Sequence, residues 1–516
     1  MFSRARLPIA AALLALIAGG CGRRASPPVT AQWLVSQAAP TFDPDGPPDP
    51  TRWALQRLLS RGLLDQDSAG RIVPAGAERF TVSADRLTCT LVLRRDLVFT
   101  DGTPCTSTDY RAAISAGLNR ADHSTKLWLL RAVRGMDAVR AGRPLPALGI
   151  ETPDAHTLVL RLARPDPRLP RKLALPGVAT PWKSRAVGEP WTKVVGIGPY
   201  RVAYAEPGRR LVLVRAPRSA LARSIAGPDT IAMRFIIGEA RFRAALRASS
   251  PDLVWPIPPA LLGEDMVSGF RATERDAVPV RRLLLVMRAD VPPTTGLAAR
   301  HALAHGLNRA ELQAALGRAA LETAAWLDGA DIFDYPRLDA AEVAQWLDRG
   351  KLGRSFHITL SFDADGAGGA VAREMQGAWS RLNVYAELKP LRGNAASREA
   401  LVGQSQALLV ESQALMPGPE AELALLVMPV RGPAVGMFRT GWRTREFDPW
   451  IAEPRVGAGP FPAAAAQARL EEELVALPLV RLPWRWLGRP GGSEVHFHPQ
   501  FGPELTSRVT PQPKVR

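Results

Sequence analysis

His301 and His305 stand four residues apart in a segment of helical apolar spacing, so one helix face can offer two imidazoles to a metal. No third ligand follows in register. His496 and His498 alternate on an extended segment near the C-terminus, again without a cysteine or carboxylate to complete a set. Both pairs read as surface histidines, and no metal or other cofactor is expected. Glu471, Glu472 and Glu473 fall on an amphipathic helical pattern rather than as an opposed pair, which suits solvent better than acid–base catalysis. Gly196-Ile197-Gly198 runs into Pro199, which has no N–H to give a phosphate, and the third glycine of a dinucleotide loop is missing. No nucleophile elbow, HExxH helix, P-loop or SxxK sequence occurs. Enzymatic function is not expected.

The remaining reactive side chains are cysteines, and the elements around them are legible. Leu87, Cys89, Leu91 and Leu93 share one face at period two, which predicts a strand. Asp101-Gly102 predicts a tight turn, and Thr106 or Ser107 can cap a helix with Asp109 in its first turn. Cys105 lies between turn and cap. In an oxidising compartment a Cys89–Cys105 disulfide would contribute about 3 kcal/mol by the chain-entropy account; two separate buried thiols are the open alternative. Elsewhere helical spacing covers 51–64, 296–316, 340–346 and 370–382. Strand patterns cover 283–287, 356–362 and 384–388, and 201–214 reads as a hairpin turning at Glu206-Pro207-Gly208. The mixture predicts an α/β fold.

A chain of 516 residues, 46% hydrophobic, is too long for one ordinary core and predicts two or three lobes. The net charge of +17 invites a polyanion partner, but the arginines are dispersed and no nucleic-acid motif accompanies them, so nucleic acid is not an expected partner. At the N-terminus Arg4 and Arg6 precede an apolar run from Leu7 to Ile17, then Ala18-Gly19-Gly20-Cys21. That is the layout of a secretory signal, with a run too short for a comfortable membrane span. Small residues ending in cysteine resemble the lipobox of bacterial lipoproteins. This implies a signal peptide over 1–20, lipidation of Cys21, a tether over 21–29 and an extracytoplasmic, membrane-anchored product.

Several short segments, in order, resemble the extracytoplasmic solute-binding proteins of ABC importers, family 5, the oligopeptide, dipeptide and nickel type. They include Ala39 to Pro44 (APTFDP), Gly70 to Pro74 (GRIVP), and Leu97 to Tyr110 (LVFTDGTPCTSTDY), the last similar to the family's "kFhDGtPlTaeDV". Gly196 to Tyr200 (GIGPY), Pro251 to Trp255 with Pro258-Pro259 behind, Arg300 to Arg309 and Gly441 to Asp448 (GWRTREFD) continue the series.

The resemblance implies a type II periplasmic-binding-protein-like fold, two lobes with a hinge plus an extra domain. One lobe takes 30–50, 165–275 and 486–516, the extra domain 51–164, and the other lobe 276–485. It also implies a monomer that captures a peptide-like or other small molecule between the lobes and delivers it to the permease and ATPase subunits of an ABC transporter. A lipoprotein that kept the fold as sensor, chaperone or envelope scaffold is the alternative. By the same resemblance Trp255, Trp442 and Arg443 are candidate cleft residues. The family's acid that pairs with a peptide ammonium has no counterpart in Ala414 to Pro419 (ALMPGP), where Glu411 or Glu420 can substitute. That loss favours uncharged or anionic ligands.

Overall fold

The computed structural model describes residues 29–506 except 38, 46–49, 117, 119–125, 127–128, 137–147, 225–226, 258–268, 317–326, 328–338, 354, 365–367, 393–398, 400–402, 428–437 and 452–458. The signal-like segment, Cys21 and Pro258-Pro259 lie outside the described residues.

Alternating apolar residues, and near-continuous buried runs in Arg281–Met287 and Ala476–Arg481, build three main sheets. A seven-stranded sheet runs in the order Arg271–Arg275, Trp484–Gly488, Leu253–Val254, Thr30–Val35, Thr230–Phe235, Arg210–Arg215, Tyr200–Glu206. A five-stranded sheet is ordered Val384–Leu391, Phe356–Asp363, Ala407–Gln413, Arg281–Met287, Ala476–Arg481. Phe356–Asp363 is parallel to both neighbours, and the helix Gly368–Ser380 makes the crossover that parallel pairing needs. A four-stranded antiparallel sheet holds Ala77–Val82, Thr88–Leu93, Thr157–Arg161 and Ile150–Asp154. The chain passes between the seven- and five-stranded bodies twice, from Arg275 to Arg281 and from Arg481 to Trp484. Short paired crossings of this kind form a hinge.

Local expectations meet the structure closely around residues 88–115. Cys89, Leu91 and Leu93 are the inward face of Thr88–Leu93. Gly102 takes φ 92° and donates its N–H to the Phe99 carbonyl, a backbone state that favours glycine. Thr106 precedes the helix Ser107–Ser115, and its N–H and hydroxyl both donate to the Asp109 carboxylate, at 2.8 and 3.0 Å.

One open alternative is decided and two expectations are corrected. Cys89 and Cys105 are free thiols, not a disulfide. Each is buried as a small hydrophobe in one apolar core, where desolvation pushes Cys89 up to about 11 and Cys105 higher still. The helical pattern over 296–316 breaks into Leu297–His305 and Arg309–Leu316. Gly306 ends the first helix, and the Asn308 side chain accepts from Ala310 N at 2.9 Å to start the second. Of the four histidines, His496 is exposed as expected, whereas His301 and His305 are half-buried and His498 is buried. His301 stacks on Trp346 at 4.3 Å and on His305 at 5.8 Å, while His498 is 2% exposed. Among the described residues no cluster of three or more His, Cys, Asp or Glu side chains can hold a metal ion.

Candidate functional site between the sheet bodies

A cavity of about 360 Å³ opens where the four-stranded body and the segment leaving it face the five-stranded body. One wall is Arg131, Ala132, Arg164 to Arg168 and Lys172; the other is Met416, Glu420, Ala421, Pro449, Trp450 and Gly459 to Phe461.

Local chemistry sets the first wall. Backbone bonds from Arg134 N to Arg161 O and from Ala163 N to Ala132 O lay residues 131–134 beside the end of Thr157–Arg161. Arg131 and Arg164 thereby reach the same rim. Pro165 and Pro167 restrict the next turn, and Asp166 Oδ1 accepts from Arg168 N at 3.0 Å, which starts the helix Leu169–Leu173. The other Asp166 oxygen accepts from Lys172 Nζ at 2.6 Å.

On the second wall Gly418 takes φ 120° and Pro419 occupies the first turn of the helix Pro419–Leu423. Glu420 then points across to Arg168, forming an ion pair between the two walls. Arg131 donates to the Ile451 carbonyl, a second bridge. Trp450 and Phe461 meet edge to face at 6.0 Å, and Trp450 Nε1 donates to Gly459 O at 3.2 Å, so the aromatic wall is held in place.

Among the described residues, four cations and two carboxylates line the cavity. Burial lowers the Lys172 pKa, Asp166 opposes that shift, and repulsion from Arg131 and Arg168 adds to it.

Of the residues singled out from sequence, Glu420 lines the cavity, and Trp255, Trp442, Arg443 and Glu411 lie elsewhere. Trp255 is 2% exposed and packed between Trp33 at 5.8 Å and Trp484 at 5.6 Å. Its strand, Leu253–Val254, is flanked on both sides in the seven-stranded sheet, so the following indole enters the core instead of a cleft wall. Trp442 is 5% exposed in the core containing Phe438 and Phe447, and Arg443 is exposed at the surface. Glu411 accepts from Arg281 Nη2 at 2.6 Å, and the Arg281 guanidinium lies 4.0 Å over the Trp484 ring. The structure therefore joins Trp255 and Glu411 through Trp484 and Arg281 at the hinge, and brings neither Trp442 nor Arg443 to them. Arg131, Arg164, Arg168, Lys172, Trp450 and Phe461 were not anticipated. Their signal was the run from Arg161 to Lys172 (RLARPDPRLPRK), five cations with one acid between prolines.

Residues 71–449 match the family model for bacterial extracellular solute-binding proteins, family 5. The chain belongs to that family. The periplasmic oligopeptide-binding protein OppA of Escherichia coli is 31% identical over 171 residues, 32% of this chain and 31% of that relative. The aligned stretch thus spans about a third of the curated relative. The solved structure of the murein tripeptide binding protein MppA of Escherichia coli superposes with TM-score 0.79 at 19% identity, covering 93% of this chain and 99% of that one. MppA in its unliganded open form, also 19% identical and covering 92% and 95%, reaches only 0.58. The fold of this family 5 protein is the type II periplasmic-binding architecture, two lobes and an extra domain, and its relatives are binding proteins.

Proposed function

We propose that this family 5 protein is the solute receptor of an ABC importer, and that ligand sits in the cavity between Arg131 to Lys172 and Met416 to Phe461. The observation that carries the reading is a cavity whose two walls belong to bodies of a hinged fold. Closure brings Arg168 to Glu420 and Arg131 to the Ile451 carbonyl, and a ligand touching both walls shifts the population toward the closed form. The closed surface is what permease subunits would recognise. One lobe takes 30–50, 165–275 and the strands from Trp484 onward, the other 276–483, and the extra domain 51–164; the expected boundary at 486 would cut the strand Trp484–Gly488, which pairs within the seven-stranded sheet. The chain works outside the cytoplasm as a monomer tethered through lipid on Cys21.

Native mass spectrometry of protein released from its anchor, followed by X-ray scattering with and without the molecule that co-purifies, tests this. The expected result is a bound small molecule whose removal expands the particle. Repeated empty preparations, with no compaction by any peptide, sugar or organic acid tried, would leave the scaffold alternative. Mass labelling of Cys21 with a diacylglyceryl group checks the anchor independently.

A further inference from the structure

We infer that Gln66 and Gln500 are positioning residues of the cavity. Their side-chain amides form a one-way hydrogen-bond relay that ties one wall to the other, and, resting on the receptor reading, that tie sets the spacing at which a ligand is held. The relay begins behind the first wall. Arg171 stands next to the lining Lys172 on the helix Leu169–Leu173, and donates to Gln66 Oε1 and to Gly70 O, both at 3.1 Å. Gln66 Nε2 donates to Gln500 Oε1 at 3.1 Å, and Gln500 Nε2 donates to the Leu415 carbonyl at 2.8 Å. Leu415 precedes Met416, which lines the second wall. Three segments far apart in the chain are joined in this way: the strand Leu64–Gln66, the turn between Glu494–His498 and Gly502–Thr506, and the stretch that follows Ala407–Gln413 of the five-stranded sheet.

The direction of the relay is fixed from its ends. A guanidinium only donates and a carbonyl only accepts, so neither amide can turn over without setting two oxygens or two N–H groups face to face. Both glutamines are buried, and a lost partner there leaves a desolvated polar group. The turn that carries Gln500 is itself held at the hinge. Its backbone N–H donates to His498 Nδ1 at 3.1 Å, while the neighbouring Pro499 carbonyl accepts from Trp484 Nε1 at 2.8 Å and from Val278 N at 3.1 Å. Gln500 therefore connects the hinge segment to the second wall, and Gln66 connects Gln500 to the first.

The polarity of the relay supplies its test, read by hydrogen–deuterium exchange and X-ray scattering on protein released from its anchor, with no ligand added. Gln66→Met cuts the first bond and leaves Gln500 on Leu415. Exchange should rise about three- to tenfold in 169–175, the scale of one lost hydrogen bond, and stay unchanged in 416–426. Gln66→Glu does the reverse. Its carboxylate still accepts from Arg171 but cannot donate, so Gln500 must turn its N–H toward it and present an oxygen to Leu415. Exchange should then rise about three- to tenfold in 416–426 only, and the radius of gyration should grow. Gln500→Met should match Gln66→Glu at the second wall, and the double variant should add nothing there. Equal loosening of both walls in the two Gln66 variants, or none in either, would overturn the relay. Native mass spectrometry after buffer exchange reads capture: the co-purified small molecule should be retained less by Gln66→Glu and Gln500→Met than by wild type. Unchanged retention beside a loosened wall would overturn the positioning role and leave the receptor reading intact. Empty wild-type preparations would count against the receptor reading alone, because exchange and scattering still decide the relay.

Discussion

Two junctions lie between the bodies of this molecule, built from the same kinds of side chain and differing in what fills them. At the hinge, Trp33, Trp255 and Trp484 pack against one another with tilted rings, Arg281 covers Trp484, and Glu411 takes the guanidinium at 2.6 Å. Around the cavity, Trp450 and Phe461 face Arg131, Arg164, Arg168 and Lys172 with Glu420 across from Arg168. Protein occupies the space at the hinge, so its indoles contribute packing energy. Beside the cavity the aromatic and cationic groups keep an accessible face. Tryptophan, arginine and glutamate together therefore say little about recognition until the neighbouring volume is known.

The comparison can be broken most directly at Trp255. Trp255→Ala should cost about 3–5 kcal/mol of stability, as large-to-small changes of a buried aromatic do, yet leave ligand affinity within twofold at a temperature where the variant stays folded. A calorimetric titration showing strong loss of affinity with little loss of stability would return Trp255 to the site.

The second effect belongs to the turn that ties the bodies together. His498 Nε2–H donates to Gln66 O, and its Nδ1 accepts from the N–H groups of Gln500 and Phe501. Gln500 reaches Leu415 O, while Pro499 O receives Trp484 Nε1 and Val278 N. Burial, then the nearby Arg57, pushes His498 down to about 4. Between that value and the usual one near 6.5 the unfolded chain binds the extra proton, so stability falls on acidification through this window. The contribution is about 3 kcal/mol. Denaturant midpoints at pH 7 and 4.5 should converge in His498→Gln relative to wild type; an unchanged difference would exclude His498 as the source.

A smaller effect is expected at the cavity. Arg168 is half-exposed, so Arg168→Gln should change stability by less than about 1 kcal/mol. It removes an ion pair between the walls, however, and X-ray scattering of the unliganded variant should show a larger radius of gyration. Identical scattering curves would mean that the pair does not hold the lobes together. The smallest effect concerns the thiols. Because Cys89 and Cys105 are unbridged and buried, reductant should leave the melting temperature unchanged, and Ellman's reagent should react with both only after denaturation. A reductant-dependent melting temperature would restore the disulfide.

Local patterns carried far because they are set by neighbours along the chain. The inward face of Thr88–Leu93, the glycine turn at Gly102 and the Thr106–Asp109 cap all follow from residues within a few positions of one another. Family 5 membership was legible for the same reason, in short ordered segments such as Leu97 to Tyr110. Such reading weakened where one residue decided: helical spacing continued through Gly306 and hid the break that Asn308 recaps.

Sequence by itself determined the α/β elements, the class of fold and the shortage of acid in residues 414–419. Only the tertiary structure decided that Trp255 is core and that Arg168 meets Glu420, residues far apart in the chain on opposite walls. The reason is physical. Strand and turn preferences are local free energies, whereas burial and charge pairing depend on which surfaces close together. A tryptophan carries the same letter whether its face meets another indole or an open cavity.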